Sequence, residues 1–128
     1  MDTRTRLGLL LAFSVALSAR PAAAQAPAGV TPAVITQGDS IFHGKGNCYA
    51  CHGSNAQGTV GPNLTDAEWL HSDGSYDAIV KQVTTGVPKE ESKSGIVMPP
   101  RGGSTITDDE VKAVAAYVYS LSHKKPGA

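Results

Sequence analysis

The chain has 128 residues, with 11 basic and 11 acidic side chains, a formal net charge of zero, and only 5% aromatic residues. That balance excludes a strongly cationic nucleic-acid binder, and no segment approaches the roughly 20 apolar residues of a membrane-spanning helix. The total averages two unlike pieces. Residues 1–24 hold three Arg and one Asp, which leaves eight basic and ten acidic side chains beyond them, together with 13 of the 14 Gly and seven of the eight Pro. A remainder so rich in breakers and so poor in aromatic residues has little material for a core, and something besides side chains is expected to fill its interior.

Taken in chain order, Arg4 and Arg6 precede an apolar run from Leu7 to Ala19, and Ala22, Ala23 and Ala24 follow. A positive start, a short apolar stretch and a small-residue site have the order of a cleaved secretory signal peptide. Cleavage is expected after Ala24, which implies export to the periplasm and no transmembrane segment in the mature chain. Residues 25–33 read as a flexible leader and 124–128 as a tail, with one compact domain over 34–123.

Three helices are expected in that domain. The first runs from about Thr36 to Gly46, and Gly38 and Phe42, four apart, share a face on which a bare glycine permits close approach of another helix. The second starts from a cap at Ser75, places Tyr76, Ile79, Val80 and Val83 on one stripe, and stops at Gly86 and Pro88. The third opens with the capping box Thr107-Asp108-Asp109-Glu110 and continues with Val111, Val114, Ala115, Val118 and Leu121 on one face. Long loops from Gly53 to Pro62 and from Val87 to Gly103 are unusual in a small domain unless they wrap something. The β signal is weak, so the class is all-α.

The only cysteines stand in Cys48-Tyr49-Ala50-Cys51-His52, the CxxCH haem c attachment sequence. Two thiols three residues apart can each add to one vinyl group of a haem, and the imidazole that follows is carried under the ring to bind iron. Cys48 and Cys51 are therefore the expected tethers of one haem c, attached through two thioether bonds, with His52 as the proximal ligand. A disulfide here would close a very short loop and stabilise little. A thioredoxin-like pair would sit beside a βαβ pattern, which is absent from the sequence, and a zinc site would need further ligands.

Beyond Met1, Met98 is the only methionine, in Ile96-Val97-Met98-Pro99-Pro100. A thioether is a soft ligand that favours ferrous iron, and the two prolines stiffen the segment that presents it. Met98 is the expected second metal ligand beside His52. His43, His71 and His123 are the rivals, of which His71 is the serious one. Iron held on both faces has no position for a substrate, which argues for electron transfer and against an enzyme.

With Cys48 to His52, Gly61-Pro62-Asn63-Leu64 and Met98-Pro99 in this order, the chain resembles a class I c-type cytochrome from about Gly38 to Leu121, similar to bacterial periplasmic cytochromes c. The resemblance implies the cytochrome c fold, in which N- and C-terminal helices cross and further short helices and loops wrap one haem. It implies contacts of Gly38 and Phe42 with Val114 and Tyr117, and it adds Pro62 to the cofactor-binding residues, its carbonyl accepting a hydrogen bond from His52 and so orienting the ring. Trp69 either meets the haem or a propionate, or packs in the core.

The expected function is a monomeric periplasmic monohaem carrier that shuttles single electrons between a donor and a terminal oxidase, reductase or dehydrogenase. The alternatives are an electron-accepting subunit of a dehydrogenase complex, or a haem peroxidase or gas sensor in which the Val87–Val97 loop swings Met98 off the iron. Lys81, Lys89, Lys93 and Arg101, diluted by Glu90 and Glu91, suggest a locally basic docking face for an acidic redox partner.

Overall fold

A computed structural model describes residues 25–124, and the signal-peptide expectation for residues 1–24 lies outside them. The first helix, α1 (Pro32–His43), begins four residues earlier than the periodicity predicts. Thr31 is extended and its side-chain oxygen accepts from the Val34 amide, while Pro32 occupies the first turn, where its missing N–H costs nothing. The end of the expected flexible leader is therefore ordered: Val30 is buried, and Pro32 and Ala33 are helical.

A one-turn helix, α2 (Tyr49–His52), carries the cysteine and histidine motif. The third helix, α3 (Tyr76–Thr85), starts at the Ser75 cap and ends at Gly86, whose φ of +70° suits a residue without a Cβ. A 3-10 turn over Pro100–Gly103 leads into α4 (Asp108–Ser122). There the capping box forms in both directions: Glu110 N–H donates to Thr107 Oγ1, and Thr107 N–H donates to Glu110 Oε2. Lys45 pairs with the same Glu110 carboxylate at 2.6 Å and so links the exit of α1 to the start of α4. Among the described residues there is no strand, only an isolated antiparallel bridge between Val87 and Met98. The all-α expectation holds.

The core lies where α1 crosses α4, with α3 also packed against α4. A Cβ on Gly38 would stand 1.9 Å from the Ala113 carbonyl oxygen and 2.9 Å from Tyr117 Cβ, so the backbones meet at a distance that only glycine allows. Phe42, Val111 and Val114 are fully buried, and the Phe42 and Tyr117 rings meet edge to face at 5.3 Å. The expected Gly38 and Phe42 crossing is thus present, with Ala113 as the nearest neighbour of Gly38. Trp69 packs against this core, its ring close over Gly74, and it does not line the cleft described below.

Candidate haem site

Beside this core, the loops enclose a cleft with about 710 Å3 of space free of protein atoms, its open mouth included. Its walls include Cys48, Cys51, His52, Pro62 and Met98, so every residue selected from the sequence for this role meets in one place. His71 lines it as well, whereas His43 and His123 are engaged elsewhere.

Short-range hydrogen bonds explain how α2 is set. Gly58 N–H donates to the His52 carbonyl, and the Thr59 hydroxyl and Gly61 N–H both donate to the Cys51 carbonyl. These bonds fold the Gly53–Pro62 loop back over the open end of α2, where helical carbonyls otherwise lack partners. The fold-back brings the Pro62 carbonyl to 2.9 Å from His52 Nδ1, which donates to it. Gly61 lies close beside the ring, where a Cβ would sit 3.0 Å from His52 Cε1 and the imidazole would have to give way.

The chemistry of this set fits a haem c. His52 is buried, and that burial, opposed by the Pro62 bond, pushes its pKa below 6.5 and keeps the ring neutral. With Nδ1–H committed to Pro62, Nε2 is the nitrogen left with a lone pair for a metal. Cys48 and Cys51 are free thiols, and burial raises the Cys48 pKa to about 11, so with no group bound it stands as a neutral thiol. Among the described residues no three His, Cys, Asp or Glu side chains converge as a metal cage. When bound, the haem supplies a one-electron iron couple, and the protein supplies its tethers and surroundings.

The Met98 side of the cleft is held by a non-local contact that sequence reasoning did not find. Val87 N–H donates to the Met98 carbonyl at 2.8 Å, and Met98 N–H donates to the Val87 carbonyl at 2.9 Å. A Cβ on Gly86 would lie 2.2 Å from the same Met98 carbonyl, so the end of α3 presses directly on the methionine segment. After Met98 the chain turns through Arg101, a non-glycine residue with φ of +55°. Its guanidinium secures that conformation by donating to the Ile106 carbonyl at 2.8 Å and to Asp108 at 2.6 Å. Arg101 is thereby withdrawn from the basic cluster read in the sequence. The rim carries an apolar feature instead: Val60, Ile96 and Val97 line the cleft and remain 46%, 46% and 52% exposed.

Comparison with known proteins agrees with this geometry. Residues 33–118 match the family model for cytochrome c oxidase, cbb3-type, subunit III. The chain is 40% identical over 92 residues to the cbb3-type cytochrome c oxidase subunit CcoP of Rubrivivax gelatinosus, covering 71% of this chain and 27% of that protein. It is also 40% identical over 103 residues to subunit FixP of Rhizobium meliloti, covering 76% of this chain and 30% of that one. The chain therefore spans less than a third of the length of these two relatives. A solved structure, cytochrome cL from Methylophaga aminisulfidivorans, superposes with a TM-score of 0.58 at 24% identity, over 73% of this chain and 57% of the other, and supports the fold. The chain belongs to the cbb3-type cytochrome c oxidase subunit III family, as a class I c-type cytochrome domain that carries a covalently attached haem c.

Proposed function

We propose that the domain is a periplasmic electron carrier that passes single electrons between a donor and a terminal oxidase, acting as a relay and not as a catalyst. The observation that carries this reading is the meeting of Cys48, Cys51, His52 and Met98 in one cleft, with His52 Nδ1–H already committed to Pro62. In it His52 and Met98 are the two iron ligands, and Cys48 and Cys51 the tethers. The paired backbone bonds between Val87 and Met98 hold the methionine segment from both directions. A ligand so fixed suits iron that keeps its coordination in both oxidation states, and it weighs against a peroxidase or gas sensor that must release Met98. Oxidase as the class of acceptor draws on the relatives, whose names are those of oxidase subunits. Among the described residues no helix is long and apolar enough to cross a membrane.

Docking in this reading is led by the apolar rim of Val60, Ile96 and Val97, around which Lys89 and Lys93 add exposed positive charge. The test is a redox titration of the purified holoprotein followed by its visible spectrum. One wave of a low-spin haem, fast oxidation by a cbb3-type oxidase and no binding of carbon monoxide by the ferrous form are expected. Rapid carbon monoxide binding would contradict the carrier and favour the sensor. A second reading, an obligate subunit of an oxidase complex, follows from the same relatives, and co-purification with a larger catalytic subunit would decide for it.

A further inference from the structure

Among the described residues one buried side-chain oxygen or nitrogen has no hydrogen-bond partner: Oε1 of Gln82. A buried amide left unpaired costs about 1–3 kcal/mol, so an orphan of this kind in a folded domain calls for a partner. Gln82 lies on α3, one turn before Gly86, and lines the haem cleft. It also lines a second, open depression beside the cleft, whose polar and charged members include His71, Asp73, Lys81 and Glu91. Gln82, His71 and Val87 are common to both and form the ridge between them. Neither cysteine nor His52 borders the second depression.

The cofactor chemistry identifies the missing partner. The cysteines fix the two vinyl-derived positions of a haem c, and the two propionate-bearing pyrroles are those on the other side of the ring. Those propionates are the only hydrogen-bonding groups at the edge of the porphyrin. A carboxylate accepts and does not donate, so the Gln82 amide must present its nitrogen. A half-turn of the terminal amide exchanges Oε1 and Nε2 in nearly the same volume.

We infer that the Gln82 carboxamide donates a hydrogen bond to one haem propionate at the ridge between the two depressions, and so positions the cofactor edge opposite Cys48 and Cys51. His71 and Lys81 favour a carboxylate at this border, and Asp73 and Glu91 oppose it, so the neutral amide is the group that binds without a charge of its own. The inference rests on covalent attachment at Cys48 and Cys51. The donor offsets part of the propionate's negative charge, which favours the ferrous state.

The test uses holoprotein whose haem is labelled with 13C at both propionate carboxyls. In the unaltered protein each labelled carboxylate gives its own infrared band, and the one that accepts from Gln82 is identified by its response to substitution. In Gln82→Met, nearly the same size and unable to donate, one labelled band should move as that carboxylate loses its donor, while the other stays put. The equilibrium should move roughly 3- to 10-fold toward ferric, about 30–60 mV at 59 mV per tenfold change. Should Gln82→Met fail to retain haem, the same comparison is made with Gln82→Asn, whose shorter arm should move the same single band. Two bands unmoved by the substitution would overturn the inference while leaving haem attachment intact. A purified protein without covalent haem would overturn the attachment itself.

Discussion

The two halves of the domain are closed by different means. On the α1 and α4 side the seal is made by protein atoms, with Gly38 in contact with the Ala113 carbonyl and Phe42, Val111 and Val114 excluded from solvent. On the other side, loops converge on a cleft whose walls stay partly open, with Val60, Ile96 and Val97 about half exposed. A chain with six aromatic residues beyond position 24 can complete only one such half with its own side chains. The comparison teaches that sequence economy and cofactor dependence are one fact, since the haem is the missing part of the core.

If the halves are sealed so differently, substitutions in them should fail differently. The largest effect is expected for Gly38→Val, because the new side chain must displace backbone as well as side-chain atoms. Holoprotein yield in the exporting host should fall close to zero, and normal yield would show that the crossing is looser than described. Phe42→Ala should cost about 3–5 kcal/mol in denaturant unfolding of the holoprotein, the range for truncating a fully buried aromatic. On the open side, Met98→Ala should leave haem covalently bound, lower the reduction potential and abolish the low-spin spectrum. Unchanged coordination would remove Met98 from the iron and leave His71, which shares the cleft, as the candidate.

Smaller effects sharpen the boundary between the halves. Thr107→Ala removes one arm of the capping box and should cost about 1 kcal/mol. The smallest effect concerns His43, which joins the end of α1 to the segment after α2 by donating to the Ser54 carbonyl at 2.7 Å. Its bonds to the Ser54 and Asp39 carbonyls, and the Asp39 carboxylate beside it, raise its pKa above 6.5. The stabilisation is therefore complete below pH 6.5, the unfolded value, and is lost as pH rises through the higher folded value. His43→Gln should flatten that part of a stability profile, and an unchanged slope would contradict the role.

Local signals were the legible ones. The Thr107 to Glu110 box, the Ser75 cap and the α3 stripe each act within a few residues and formed as read. The CxxCH spacing gave Cys48, Cys51 and His52 as a set that does line one cleft, and the likeness to class I cytochromes placed the Pro62 carbonyl at His52, where the ring donates to it. A cue for the true start of α1 was present, a Thr followed by Pro, but the Ala- and Pro-containing leader masked it. α2 is too short for any periodicity to reveal. The Val87 to Met98 bridge, the capture of Arg101 by Asp108 and the orphaned amide of Gln82 depend on residues made neighbours by the fold, so no window of sequence contains them.

The central claim, that a covalently held haem completes this core, is tested most directly by thermal unfolding followed by circular dichroism. The holoprotein should be compared with a haem-free Cys48→Ala/Cys51→Ala chain. The account predicts a cooperative transition for the holoprotein and a weakly helical, non-cooperative profile for the haem-free chain. A haem-free chain with native helix content and a sharp transition would contradict it.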